Sequence, residues 1–95
     1  MATFSIPRVN VIESDEGFSV EVLGQTGLRY VEGARAMFVD SEVLAGPAGL
    51  VMYTSSIKRW DPPHSAELID EPTKNRIVDN IRRAFRFRGL EIGLL

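Results

Sequence analysis

The stretch YTSSIKRWDPP, residues 53–63, divides the chain into a strand-rich part and a helical part. It follows an apolar strand-like run and ends in two consecutive prolines, which cannot pair inside a sheet. It also holds the only tryptophan. Because tryptophan is costly to leave in water, Trp60 either fixes the joint between sheet and helix or is an exposed anchor for a partner. Both roles are open from the sequence, and packing under the helix is favoured.

Upstream of this stretch, short runs that alternate polar and apolar side chains predict about five strands. The runs cover residues 8–13, 18–23, 28–32, 35–40 and 50–54, with a loop at 45–49. Short turns between strands at a spacing of about ten residues favour an antiparallel meander. The side chains assigned to its buried face are Phe18, Val20, Val22, Tyr30 and Phe38.

Downstream, a helix is predicted from Pro72 or Thr73 to Arg88. Its apolar residues form one stripe at helical period, namely Ile77, Val78, Ile81, Ala84 and Phe85. Asp70 or Glu71 can cap its start, and residues 90–95 alternate again as a closing strand. The predicted fold is therefore α+β: one domain over residues 1–95, in which a twisted antiparallel meander of about five strands is packed by one C-terminal helix and followed by a short terminal strand.

The composition excludes several classes of protein. The 95 residues include no cysteine, which removes disulfide scaffolds, thiolate zinc sites and cysteine nucleophiles. No run reaches the roughly 18 apolar residues of a membrane span, and residues 1–8 do not resemble a secretory signal. A cytoplasmic protein without membrane contact is expected.

The net charge of −2 is unevenly distributed. Residues 1–72 carry eleven acidic and five basic side chains, whereas residues 73–95 carry two acidic and six basic ones. The basic helix can complement an acidic sheet within the fold, the acidic part can face a basic protein, or the helix can bind nucleic acid. The last option would use Arg76, Arg82, Arg83 and Arg86, but an isoelectric point of about 5.3 speaks against it.

Residues that could carry chemistry are few. The only histidine, His64, lies in a loop beside serines, and no nucleophile turn accompanies it. Asp40 and Glu42 would share one strand face and could bind a divalent cation. The favoured explanation of this pair is instead a charged, solvent-exposed sheet edge that discourages aggregation. The sequence therefore predicts no enzyme activity, no catalytic residue, no metal site and no cofactor.

Aromatic side chains amid charges favour a protein-binding surface. Tyr30, Tyr53 and Trp60 can stand on the sheet or its rim, beside charged residues such as Arg29 and Lys58. Aromatic and arginine anchors are typical of protein interfaces.

These residues resemble a family of bacterial immunity proteins, immunity protein 74, over most of the chain. The resemblance is carried by Leu28-Arg29-Tyr30-x-Glu32-Gly33, Val39-x-x-Glu42-Val43-Leu44, Tyr53-x-Ser55-Ser56-Ile57-x-x-Trp60-x-x-Pro63 and Arg76-Ile77-x-x-Asn80-Ile81. It implies a small cytoplasmic antitoxin that binds the toxin of its own cell. Such toxins are often nucleases delivered by contact-dependent growth inhibition, and the antitoxin would occlude the active site or the substrate surface.

The residues expected to contact the toxin are charged or aromatic and lie mostly in the acidic part. They are Glu13, Asp15, Glu16, Glu32, Asp40, Glu42, Tyr53, Lys58, Arg59, Trp60 and Asp61. The resemblance also implies that Arg29, Tyr30, Glu42 and Trp60 in part hold the sheet together. Nucleic acid is not an expected partner, and a homodimer through the terminal strand is a separate hypothesis, because that strand is short, apolar and at an edge.

Overall fold

The chain forms a seven-stranded sheet that curls around one helix in the computed structural model, which describes residues 3–43 and 49–95. The elements are β1 (Phe4–Arg8), β2 (Val11–Ser14), β3 (Phe18–Val22), β4 (Gly27–Glu32), β5 (Arg35–Val43), β6 (Leu50–Met52), α1 (Glu71–Phe87) and β7 (Ile92–Leu94). The predicted α+β class is confirmed. Residues 45–48 of the predicted loop lie outside the described residues.

The strands lie side by side in chain order. Each neighbouring pair from β1 to β6 is antiparallel, as the meander predicted, but β7 pairs with β6 in parallel. The parallel pair follows from the connection, because α1 carries the chain back along the sheet before β7 begins. Leu50 is opposite Ile92 and Met52 is opposite Leu94.

The first strand of the sheet was not predicted. β1 runs from Phe4 to Arg8, whereas the sequence pattern placed the first strand at residues 8–13, most of which belongs to β2. Pro7 obscured β1 in the pattern because proline cannot donate to a strand ladder. It is tolerated here because β1 is the edge strand and its pairing with β2 shifts register between Ser5 and Arg8.

The core lies between the inner face of the sheet and α1. The predicted stripe of α1 is confirmed, since Ile77, Ile81, Ala84 and Phe85 are buried and Val78 packs half-buried beside them. The helix begins at Glu71, one residue before the predicted start, and Asp70 is the cap: its carboxylate accepts a hydrogen bond from the Thr73 backbone N–H at 3.0 Å. This cap satisfies one of the unpaired donors of the first turn.

Phe38 does not belong to the core, contrary to the prediction. Tyr30 pairs with Met37 across β4 and β5, and both are fully buried. Alternation along β5 then turns Phe38 to the opposite face, where it is 50 % exposed. β5 is also longer than predicted and continues to Val43.

The segment after β6 covers the free edge of β5. The predicted strand at 50–54 ends at Met52, and a 3₁₀ turn follows at Thr54–Ser56. The Tyr53 backbone N–H donates to the Asp40 carbonyl at 2.8 Å, and the Asp61 N–H donates to the Ala36 carbonyl at 2.7 Å. These hydrogen bonds satisfy backbone groups that an open edge would expose.

Trp60 lies at the end of this segment and points into the core. Only 4 % of it is exposed, and its ring stacks on Tyr30 with a centroid distance of 6.3 Å. Trp60 therefore fixes the joint between sheet and helix. The alternative of an exposed aromatic anchor is wrong for this residue.

Candidate functional site

The face of the sheet turned away from α1 is the candidate site. It carries the outward side chains of β2–β5 and is called the open face here. Its charged and aromatic members are Glu13, Glu21, Arg29, Phe38, Asp40 and Glu42. Their strand neighbours Ile12, Val20, Leu28, Met37 and Val39 are buried against the helix side, so alternation places these six on the other side.

Phe38 stands within this face with its ring over a glycine. The ring carbon Cζ lies only 2.7 Å from where a Cβ on Gly27 would be. Any other residue at position 27 would therefore meet the ring. Because glycine has no side chain, the ring can lie against the backbone of β4, although half of the Phe38 side chain remains in contact with water.

Two carboxylates follow Phe38 along β5. Asp40 and Glu42 are both exposed and share the open face, as the sequence predicted. The Tyr53 hydroxyl donates to Glu42 Oε1 at 3.0 Å. This hydrogen bond, with a smaller effect of burial, raises the pKa of Tyr53.

The cationic member of the open face is Arg29, which lies opposite Phe38 in the β4–β5 ladder. Its guanidinium is 3.7 Å from the Asp61 carboxylate, and both side chains are nearly half exposed. On its other side Arg29 is opposite Glu21, which accepts a hydrogen bond from Asn10 at 3.3 Å. Carboxylates thus outnumber bases on this face, which makes its field negative.

Glu16 and Glu32 belong to the opposite side of the molecule. Glu32 pairs with Arg76 of α1 through two hydrogen bonds, and Glu16 pairs with Arg83 at 2.9 Å. These contacts show that the basic helix complements acidic residues of its own sheet, one of the three explanations left open by the sequence. Glu16 and Glu32 were both predicted to contact the toxin, but in the structure they form ion pairs with arginines of the same chain.

A buried hydrogen-bond chain connects these two ion pairs. The Tyr30 hydroxyl donates to Glu32 at 2.6 Å and accepts from the Asn80 side chain at 2.9 Å. The Asn80 carbonyl oxygen in turn accepts from Arg83 at 2.6 Å. Burial and the carboxylate of Glu32 raise the pKa of Tyr30. The chain ties α1 to β4 and gives the Tyr30 hydroxyl and the Asn80 side chain hydrogen-bond partners in the core, while Arg83 Nε is buried without one.

Most arginines of α1 already have partners within the protein, which makes them less available to bind nucleic acid. Arg76 and Arg83 are engaged as described, and Arg86 pairs with Glu91 at 3.2 Å. Arg88 donates to the Val9 carbonyl, whereas Arg82 makes no ion pair among the described residues. Phosphate contacts would have to compete with these intramolecular partners, which does not favour a nucleic-acid interface.

The remaining predicted contact residues are spread along the chain. Glu13 is exposed in β2, and Asp15 accepts a hydrogen bond from the Thr3 N–H at 2.9 Å. Lys58 and Arg59 are exposed in the segment before the buried Trp60. The structure thus brings Glu13, Asp40, Glu42, Tyr53 and Asp61 to or beside the open face, and places Glu16, Glu32 and Trp60 elsewhere.

The groups considered for catalysis have structural partners. His64 Nδ1 lies 2.6 Å from Glu67 Oε2, and the Ser56 hydroxyl donates to the Tyr53 carbonyl at 2.7 Å. Arg35 and His64 together lower the pKa of Glu67. Within residues 3–43 and 49–95, acidic and histidine side chains form no cluster that could hold a metal ion. No helix among the described residues is long and apolar enough to span a membrane.

Sequence reasoning missed Phe38, Arg29 and Glu21 as members of the candidate site. The signal for Phe38 was present, because a strand with Met37 and Val39 on one face must turn residue 38 to the other. Both faces of β5 are apolar at this point, so the pattern did not decide which face was buried. Gly27, which is opposite Asp40 and diagonal to Phe38 in the β4–β5 ladder, gave no sign at the sequence level that a ring would rest on it.

A family model described as immunity protein 74 matches residues 19–94. The match begins in β3 and continues through α1 to the last residue of β7. It therefore includes β4 and β5, which carry Arg29, Phe38, Asp40 and Glu42. No curated protein and no solved structure was found to match the chain.

Proposed function

This chain belongs to the immunity protein 74 family, and from that membership we propose that it is an antitoxin that binds a cognate bacterial toxin and neutralises it. The family match over residues 19–94 is the observation that carries the proposal. An immunity protein acts on a toxin protein, so the partner is a macromolecule and the mechanism is association. Shape and charge complementarity would supply the affinity, with no bond made or broken.

The proposal extends to the kind of toxin and the mode of inhibition. The toxin would be a nuclease delivered by contact-dependent growth inhibition, and the antitoxin would occlude its active site or its substrate surface in the cytoplasm. A nuclease needs a basic surface to bind nucleic acid. The excess of carboxylates in residues 1–72 supports this choice, because an acidic surface can occupy such a site in place of the substrate.

Co-expression with the product of the gene immediately upstream tests the proposal. That product should arrest growth when it is produced alone, and this protein should restore growth and purify with it as a complex. Complementary charge predicts fast association, toward about 10⁸ M⁻¹s⁻¹ at low salt. The proposal fails if the upstream product is harmless, or if the two proteins remain separate at micromolar concentrations.

A variant test addresses the absence of catalysis. His64→Ala should neutralise the toxin as well as the wild type, because the imidazole contacts Glu67 and serves no reaction in this proposal. The measurement is growth in the presence of the toxin at matched protein levels. Loss of protection by a variant that still binds the toxin would point to chemistry.

The terminal strand offers a second, self-complementary interface. β7 is the last strand of the sheet and pairs only with β6 among the described strands, while Leu94 remains 42 % exposed. An open edge can pair with a second copy. Sedimentation at several concentrations should then detect a dimer that Leu94→Lys weakens. A monomer at every concentration would remove this part of the proposal.

A further inference from the structure

We propose that the open face is the surface that binds the toxin, with Phe38 entering an apolar recess and the surrounding carboxylates pairing with lysine or arginine side chains. This inference rests on the proposed function and adds two things to it: the face that is used, and the chemistry of the partner surface. The partner is a basic protein surface.

The distribution of ion pairs selects this face. On the helix side, Glu16 and Glu32 already pair with arginines of α1, so a partner there would have to break intramolecular contacts. On the open face, Asp40 and Glu13 are exposed and make no ion pair in the described part of the chain. Their charges are therefore available to a partner.

The charge of the open face sets the chemistry of the partner. It carries four carboxylates, on Glu13, Glu21, Asp40 and Glu42, and one guanidinium, on Arg29, whose charge Asp61 already balances. A negative face of this kind attracts basic protein surfaces and repels phosphates. A nucleic acid would consequently avoid this surface.

Phe38 supplies the apolar contact that the carboxylates lack. Interface hot spots are enriched in large side chains that fill a pocket and are surrounded by polar residues. The ring is half exposed, and the rest of its surface lies against Gly27.

The test measures binding of the upstream gene product to matched variants by biolayer interferometry. Phe38→Ala should weaken binding about tenfold or more, mainly through faster dissociation. Asp40→Lys combined with Glu42→Lys should slow association about tenfold or more at low salt, and should reduce its salt dependence. The control Glu91→Lys changes a 73 % exposed carboxylate beside α1 and should bind within about twofold of the wild type.

A further variant moves the ring without removing it. Gly27→Ala places a methyl group where the ring rests, so the ring has to move aside, and it can do so at low cost to the fold because Phe38 is half exposed. This variant should bind more weakly than the wild type and more tightly than Phe38→Ala. Thermal unfolding of each variant identifies any that do not fold. If Phe38→Ala or Gly27→Ala does not fold, the combined Asp40→Lys and Glu42→Lys variant decides the outcome.

The outcomes separate this inference from the proposed function. If the wild type binds and the open-face variants bind equally well, or if Glu91→Lys weakens binding as much as they do, the open face is not the toxin-binding surface and the proposed function stands. If the wild type does not bind the upstream product at all, the proposed function fails, and this inference fails with it.

Discussion

At the scale of single residues, the buried Tyr30 hydroxyl is the polar group on which the core most depends. It bridges Asn80 and Glu32, and Tyr30 has no exposed surface. Tyr30→Phe removes the bridge and leaves the Asn80 amide without this acceptor. Such a loss costs about 1–3 kcal/mol of unfolding free energy, because a buried polar group remains unsatisfied.

Chemical denaturation measures this loss, and Tyr53→Phe is the matched control. The Tyr53 hydroxyl also donates to a carboxylate, but it lies at the surface, where water can replace it. Its removal should leave the urea midpoint almost unchanged. Equal losses in the two variants would mean that burial of the Tyr30 hydroxyl is not what makes it important.

A second residue-scale prediction concerns the Asp70 cap. The hydrogen bond from Thr73 lowers the pKa of Asp70, so the charged carboxylate is favoured in the folded state. Its contribution is present above the unfolded pKa of about 3.9 and is lost as the pH falls through the lower folded value. Asp70→Asn keeps a capping side chain that does not titrate.

The melting temperature of the wild type should therefore exceed that of Asp70→Asn near neutral pH, since the charge also interacts favourably with the start of the helix. The difference should shrink as the pH falls below about 4. Glu67 titrates in both proteins and cancels in the comparison. A constant difference from pH 6 to the acid limit would show that the charge of Asp70 contributes nothing.

At the scale of elements, β7 is the last strand of the sheet, and contacts with the rest of the protein fix both of its ends. Ile92 is 3 % exposed and belongs to the core, while the Leu95 N–H and carbonyl are hydrogen-bonded to Met52 and Thr54. Ile92→Ala should cost about 2–5 kcal/mol, because it leaves a cavity between β7 and the core. Leu94→Ala, in the same strand but 42 % exposed, should cost much less. Urea unfolding compares the two, and similar losses would mean that β7 is only loosely packed.

The elements also show what a sequence pattern can and cannot predict. The helix was predicted within a residue or two, because its stripe, the Asp70 cap and Pro72 are all local signals. β1 was missed since Pro7 hides an edge strand. Phe38 was misplaced since both faces of β5 are apolar, so only the register with β4 decides which one is buried.

Glu13, Asp40 and Glu42 of the open face were among the residues selected from the sequence, whereas Glu21, Arg29 and Phe38 were not. Asp40, Glu42, Tyr53 and Asp61 do gather at one face, and alternation predicted the first two together. The separation of Glu16 and Glu32 from them depends on which carboxylates meet the arginines of α1. That is a long-range pairing, which no local pattern encodes.

At the scale of the whole molecule, one small core has to provide all the stability. A folded chain of 95 residues is stabilised by on the order of 5–10 kcal/mol. Trp60 packs on Tyr30 where the sheet meets the connection to α1, so its loss affects both layers. Trp60→Ala should cost about 3–5 kcal/mol. That is a large fraction of the total, so the variant should unfold at a clearly lower urea concentration than the wild type.

Trp60→Phe is the control for this prediction, because it retains an aromatic ring at the same place and should lose less stability. Far-UV circular dichroism during urea unfolding follows both variants without relying on tryptophan fluorescence. If Trp60→Ala unfolds at the wild-type midpoint, the joint is not essential to the core. If Trp60→Phe is as unstable as Trp60→Ala, the indole itself is required, and the contact with Tyr30 cannot be replaced by another ring.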